Sequence, residues 1–273
     1  MGTLYLVSTP IGNLEDISQR ALRILGEVTL VAAEDTRHTR RLLDHYHLFP
    51  SLVSYHEHNK APRLDQLLRA LDEGDVAVVS DAGAPGLSDP GFELVRAAWE
   101  AGHQVSPVPG PSAPVAALTA SGLPSDRFLY LGYLPRRRAD RLELIESVSR
   151  LPWTLVAFET PHRLKDSLGD LASVLGEKRP AAVCRELTKL HEEFVRGSLA
   201  EIRKHFDGIE PMGEITIIIH GADAEPPWTD QAVREALVAA LDQGQSASQA
   251  AKQVARLSGR PRQEIYRMAL EVK

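Results

Sequence analysis

From Thr3 to Gly122, short apolar runs rich in β-branched residues alternate with amphipathic segments, with few residues between them. "TLYLVS", "VTLVAA", "SLVSY", "DVAVVS" and "HQVSPV" have the length and composition of strands. Between them, "EDISQRALRIL" places Ile17, Ala21, Leu22 and Leu25 at helical spacing. A second helix opens near Thr36, and "APRLDQLLRALDEG" and "GFELVRAAWEAG" are helices closed by Gly74 and Gly102. "PSAPVAALTASG" completes the series. Strands that alternate with helices across short connections predict a doubly wound, mostly parallel α/β sheet.

A second α/β unit begins near Pro124. "RFLYLGYL", "WTLVAFE", "AAVCREL", "EEFVRGS" and "EITIIIHG" are strands; "RADRLELIESVSR" and residues 161–175 and 198–206 are helices. The short gap from Glu186 to Glu192 predicts an antiparallel pair, and so a mixed sheet. "GADAEPPW" has the composition of a linker. Beyond it three helical segments break at "DQGQS" and "SGRP", and the last two resemble a helix-turn-helix pair. The expected division is therefore an α/β domain at 1–122, a mixed α/β domain at 123–224 and a small helical module at 225–273. A chain of 273 residues accommodates these parts. Arg256, Arg260, Arg262 and Arg267 make the helical end locally basic; a solvated cap and an RNA-contacting module are equal readings of it.

Composition narrows the function classes. No apolar run approaches the ~18 residues of a membrane span, and "MGTLYLVSTPIGN" lacks the basic start of a signal peptide. One cysteine, Cys184, excludes an internal disulfide and fits a reducing cytoplasm. Ten histidines without clustered cysteines argue against structural zinc. The net charge of -6 disfavours a general nucleic-acid coat but leaves room for a local basic face.

In parallel sheets, ligands bind beyond the carboxyl ends of the strands. There the sequence offers "STPIGN", "AEDTRHTR", "HEHNK", "SDAGAPGLSDPG" and "PGPSAP". No G-x-G-x-x-G fingerprint, P-loop or G-x-S-x-G elbow is present, which removes the commonest phosphate and nucleophile explanations. Small residues with free backbone groups suit an adenine edge, a ribose or an amino-acid moiety.

"LVSTPIGNLEDIS", "AEDTR", "SDAGAPGLSDPG" and "PGPSA" together resemble the tetrapyrrole-methylase-like class of S-adenosylmethionine-dependent methyltransferases. Within it they resemble the bacterial 16S ribosomal RNA 2′-O-ribose cytidine methyltransferase family. The resemblance covers residues 1–222, and the C-terminal helices are consistent with it. It implies a two-domain tetrapyrrole-methylase-like fold, S-adenosylmethionine held bent in the cleft between domains, a homodimer, and a cytidine of the small-subunit RNA decoding region as target. By matched position it places Pro10, Asp81, Ala82, Gly83, Ala84, Ser112 and Ala113 at the cofactor. The strand ends containing Phe158, Glu186 with Leu187, and Gly213 would close over adenine. "TPIGN" departs from the glycine-rich first loop of tetrapyrrole enzymes, which disfavours a corrin-type substrate.

A ribose hydroxyl normally needs a base to accept its proton. Glu34, Asp35, Asp81, Glu186 and Lys189 are candidates, and positioning without a dedicated base is the alternative. Glu34 and Asp35 equally suit a plain interaction with the next helix N-terminus, and Glu186 with Lys189 a structural ion pair. Asp89, before Pro90 and a helix, is expected to be an N-cap. Arg37, Arg40, His56, Arg136, Arg137 and Arg262 are the candidate RNA contacts, the arginines each with a solvated-surface alternative. His56 and His58 lack a third ligand, so no metal is expected. Two rivals remain: a tetrapyrrole methyltransferase and a non-catalytic ribosome-binding protein.

Overall fold

The apolar runs of the first 108 residues form β1 (Thr3–Val7), β2 (Leu30–Ala33), β3 (Ser51–Ser54), β4 (Val76–Val79) and β5 (Gln104–Val108). All pair in parallel, in the order β3-β2-β4-β1-β5. The connecting helices are α1 (Gln19–Glu27), α2 (Thr36–His45), α3 (Lys60–Glu73) and α4 (Phe92–Glu100), with α5 (Ala113–Ser121) after β5. Because side chains alternate along a strand, one face of the sheet meets Ala21, Ile24, Leu25 and Leu43 of α1 and α2. The other meets Leu67, Leu71, Leu94 and Ala98 of α3 and α4. All four residues of β4 are consequently buried.

The first helix starts later than the periodicity suggests. Residues 14–16 form a short 3-10 turn, and Ser18 caps α1 by accepting from the Ala21 N–H. A capping hydroxyl offers the backbone a partner that outweighs the apolar spacing upstream.

The second sheet contains β6 (Phe128–Tyr133), β7 (Thr154–Glu159), β8 (Pro180–Arg185), β9 (Glu193–Ser198) and β10 (Ile215–Ile219). Their order is β6-β7-β10-β8-β9. β6 and β7 are parallel; the other pairs are antiparallel, β8 with β9 among them. Helices α6 (Arg138–Val148), α7 (Leu164–Leu175) and α8 (Leu199–His205) cover one face through Ile145, Leu168, Leu171, Ile202 and Phe206. Ala117 and Leu118 of α5 cover the other, against Val156, Ala182, Cys184 and Ile218. Each fully buried aliphatic side chain contributes about 2 kcal/mol, so residues 217–219 of β10, three isoleucines that pack toward both layers, anchor this half. Burial pushes the Cys184 thiol up to about 12, which keeps it protonated.

The structure, a computed structural model, describes residues 1–223 and 228–272. Cα packing divides the chain into Met1–Ala222, which holds both sheets, and Asp223–Lys273. Half of the expected linker, residues 224–227, lies outside the described residues. The second unit consists of α9 (Asp230–Asp242), α10 (Ala247–Ser258) and α11 (Arg262–Glu271) around Val233, Leu237, Ala251, Val254 and Ile265. Ser246 and Gln249 form a capping box at α10, and Gly259 ends it at φ +67. Arg260 bonds both Asp230 and Glu264, so one of the basic residues of this end serves as an internal clasp. No helix among the described residues is long and apolar enough to cross a membrane.

Candidate active site

The loops after β1, β4 and β5 are bound to one another. Thr9 and Gly83 exchange both backbone hydrogen bonds, at 2.9 and 3.0 Å. Gly83 has φ +79, a conformation that glycine adopts without strain. Gly110 lies against Ser8, where a Cβ would come within 2.9 Å of the Ser8 Cβ. Gly12 lies against the Lys189 side chain and the Leu187 carbonyl, leaving no room for a Cβ.

The second sheet brings its own edge to this place. β10 is antiparallel to both β7 and β8, pairing Ile215 with Glu159 and with Arg185. The end of β7, the end of β8 and the start of β10 therefore converge. The result is a cleft of about 300 Å³. The first half supplies Ile11, Glu34, Asp81 to Ala84, Leu87 to Asp89 and Ser112 to Pro114. The second supplies Tyr133, Phe158 to Pro161, Leu187 and Gly213 to Thr216. Phe158 is held edge-on by Tyr130 and tilted against Tyr133, with centroids 5.4 and 5.3 Å away. Tyr130 in turn shares a 2.7 Å hydrogen bond with Ser88, tying the second half to the long loop of the first.

Five carboxylates line the cleft: Glu34, Asp81, Asp89, Glu159 and Glu214. Among the described residues no Lys or Arg lines it. Some of these acids are already engaged. Glu159 is bound by Arg163 at 2.5 Å, by the Thr160 N–H and by Ser167. Asp81 accepts the Asp35 N–H at 3.0 Å. Glu214 receives Lys189 Nζ at 3.2 Å. Burial, and then the charge of Glu34, push the Asp89 carboxyl up to about 6. Burial and Asp81 push Glu34 upward too.

Asp89 corrects the sequence expectation. It is not a helix cap: Pro90 and Gly91 intervene, α4 begins at Phe92, and Gly91 occupies the N-cap position. The carboxylate faces the cleft. Tyr133 was not expected: it comes from β6, whose parallel pairing with β7 has no local pattern to signal it, whereas Glu159 and Glu214 belong to the strand ends 157–160 and 212–214 expected over adenine, brought together by antiparallel register. The repeated "SD" of the long loop was the available clue to Asp89.

Of the other predicted residues, Glu34, Asp81, Ala82, Gly83, Ala84, Ser112, Ala113, Phe158, Leu187 and Gly213 gather at the cleft. Pro10 and Glu186 are not part of its lining. Glu186 accepts Lys189 at 2.8 Å and the Glu214 N–H at 2.9 Å, and packs behind Gly213. Burial alone would lower the Lys189 pKa, but its bonds to Glu186 and Glu214 prevail and raise it, so it is a poor proton acceptor. Asp35 caps α2, and the side-chain and backbone hydrogen bonds it accepts from Arg37, helped by the guanidinium charge, hold its carboxyl down at about 2. Arg37 is thereby paired, and Arg40 lies half-buried on the same helix. His56 donates its backbone N–H to Asn59. Arg136 and Arg137 are exposed before α6, Arg137 lying 3.7 Å from Asp140. Arg262 bonds Ser248 in the second unit.

The Tetrapyrrole (Corrin/Porphyrin) Methylases model matches residues 3–203, and the RsmI C-terminal HTH domain model matches 229–273. A ribosomal RNA small subunit methyltransferase I of Synechocystis sp. is 44% identical over 100% of this chain and 99% of that one. The chain belongs to the ribosomal RNA small subunit methyltransferase I family, within the tetrapyrrole methylases. A family member from Thermotoga maritima is 46% identical, matched over 100% of its own length but 82% of this chain. Among solved structures, uroporphyrin-III C-methyl transferase from Thermus thermophilus, complexed with S-adenyl homocysteine, has a TM-score of 0.55. It is 23% identical, over 80% of this chain and 97% of that one. A diphthine synthase has a TM-score of 0.60 at 14% identity, over 80% of this chain and 90% of that one. The fold of residues 1–222 is thus the tetrapyrrole methylase fold.

Proposed function

We propose that this protein transfers a methyl group from S-adenosylmethionine to the ribose 2′-hydroxyl of a cytidine in the decoding region of small-subunit ribosomal RNA. The carrying observation is the charge of the cleft: five carboxylates and, among the described residues, no lining cation. A sulfonium nucleoside with an ammonium group is complementary to such a wall, whereas a pyrophosphate-bearing cofactor is not. The small residues Ala82, Gly83 and Ala84 let the backbone approach the ligand, and Phe158 offers an aromatic surface to the adenine. In this reading residues 1–122 and 123–224 are two lobes around the ligand, and 225–273 is an accessory module.

When bound, S-adenosylmethionine supplies an electrophilic methyl group whose departure leaves a neutral thioether. The chain's task is to position the acceptor and take its proton. We assign the proton to Asp89. Its carboxyl, at about 6, is ionised at neutral pH yet more basic than an ordinary aspartate. Asp81 and Ser112 hold the donor, while Glu186 and Lys189 brace Gly213 and Glu214 from behind.

A tetrapyrrole substrate, itself rich in carboxylates, would meet repulsion at this cleft. The protein is expected to act in the cytoplasm on the small subunit or its RNA, as a homodimer; exposed Phe92 and Trp99, two turns apart on α4, support a second copy. Incubating the protein with labelled donor and either unmodified small subunits or a precorrin tests the assignment. Label in a 2′-O-methylcytidine of the RNA is expected; label in the tetrapyrrole alone would refute it.

A further inference from the structure

We propose that a basic groove formed by α6, α7 and the last turn of α8 binds the phosphodiester backbone of RNA and leads it to the cleft. The inference rests on the RNA substrate proposed above and adds a site to it. The groove has a volume of about 610 Å³ and presents six basic side chains, Arg136, Arg138, Arg141, Arg163, Lys165 and Arg203, against two carboxylates. This concentration stands out in a chain of net charge -6.

Its members divide by role. Arg141 is buried; it donates from Nε and Nη2 to one oxygen of Asp170, at 3.0 and 2.6 Å, and from Nη1 to the Pro135 carbonyl at 3.1 Å. Asp170 also takes Arg138 at 2.9 Å on its other oxygen. One carboxylate is thus shared by two guanidiniums and cannot neutralise both. Arg136 and Lys165 have no carboxylate partner among the described residues, and Arg203 has only a distant one, Glu177 at 3.8 Å. The floor is fixed while the rim carries free charge, an arrangement suited to phosphate oxygens. Among the described residues no aromatic side chain lines the groove, so none of them stacks a base there. The chemistry is that of a backbone track, which reads charge and not sequence.

The groove adjoins the cleft through one short segment. Glu159, Thr160 and Pro161 line the cleft, while Arg163, two residues on, lines the groove and bonds back to Glu159. A strand whose phosphates occupy the groove would bring a neighbouring ribose toward Asp89.

The test uses the full-length protein with Arg136→Ala and Lys165→Ala combined, since neither residue holds an internal ion pair. Binding to small-subunit ribosomal RNA is measured across a salt series, with donor affinity by calorimetry and methyl transfer on the same samples. Loss of two phosphate contacts is expected to weaken RNA binding by about ten-fold and to flatten the log–log salt slope by about 1.4, at unchanged donor affinity. RNA affinity and slope equal to wild type would overturn the groove, whether or not methylation proceeds. Wild-type protein that binds RNA without methylating it, while the double variant loses that binding, would keep the groove and refute the proposed reaction instead.

Discussion

The cleft and the groove lie on either side of residues 159–163 and carry opposite charge. The cleft is lined by five carboxylates and no cation among the described residues; the groove by six cations and two carboxylates. The carboxylates of the cleft also differ in how far they are satisfied. Glu159 is closed off by Arg163 and Ser167, whereas Asp89 is shifted up to about 6 by burial and by Glu34. On the proposed reading, the difference teaches how a net acidic protein can serve a polyanion: its cations are gathered where phosphates would arrive, and its acids where a cationic methyl donor would sit.

The most severe break of this contrast should come from Asp89→Asn. Loss of the proton acceptor is expected to lower kcat by about 10²-fold or more, with donor affinity nearly kept. In the wild type, log kcat/KM should rise with pH up to about 6 and then level off, because the base must be ionised to act. The variant should lose that rising limb; a variant that keeps both limb and rate would remove Asp89 from the mechanism. For stability the sign is opposite. A raised carboxyl pKa favours the fold fully below its unfolded value of 3.8, and this contribution fades as pH climbs through about 6.

On the groove side, Asp170→Asn should leave Arg141 buried without its counter-charge. A loss of about 3 kcal/mol in urea unfolding is expected; a loss under about 0.5 kcal/mol, the level of an ordinary surface substitution, would mean that the floor is not fixed by this pair. Next in size is Gly213→Ala. The new Cβ meets the Glu186 carboxylate at a backbone φ of +85. Donor affinity should fall by about ten-fold, the equivalent of about 1.4 kcal/mol, within the usual cost of such strain; calorimetry reads it directly. The smallest effect sharpens the contrast between the two sites. Raising salt from 50 to 200 mM should change donor affinity by less than about two-fold, while RNA affinity falls by orders of magnitude. Equal salt dependence would show that the two sites are not electrostatically distinct.

Local pattern carried the first sheet far. Strands of four or five apolar residues, each followed by a helix, leave few topologies open, and the glycine- and proline-rich strand tips mark where a ligand approaches. It carried less of the site. Asp89 was misassigned because its distance to a helix start is readable, whereas the two-residue offset made by Pro90 and Gly91 is not. Tyr133 arrives through the parallel pairing of β6 with β7, and Glu159 comes beside Glu214 through the pairing of β7 with β10, long-range registers with no sequence signature. The groove was half visible in "PRRRADR"; Arg163, Lys165 and Arg203 join it only once α7 and α8 pack beside α6.

The reciprocal backbone pair between Thr9 and Gly83, with Gly110 seated on Ser8 and Gly12 seated on the 187–189 turn, has a consequence for the order of events. Loops stitched together in this way do not have to be ordered by whatever they hold, so little conformational entropy is lost on binding. If the cleft takes the methyl donor and the RNA as proposed, neither would have to build the pocket for the other.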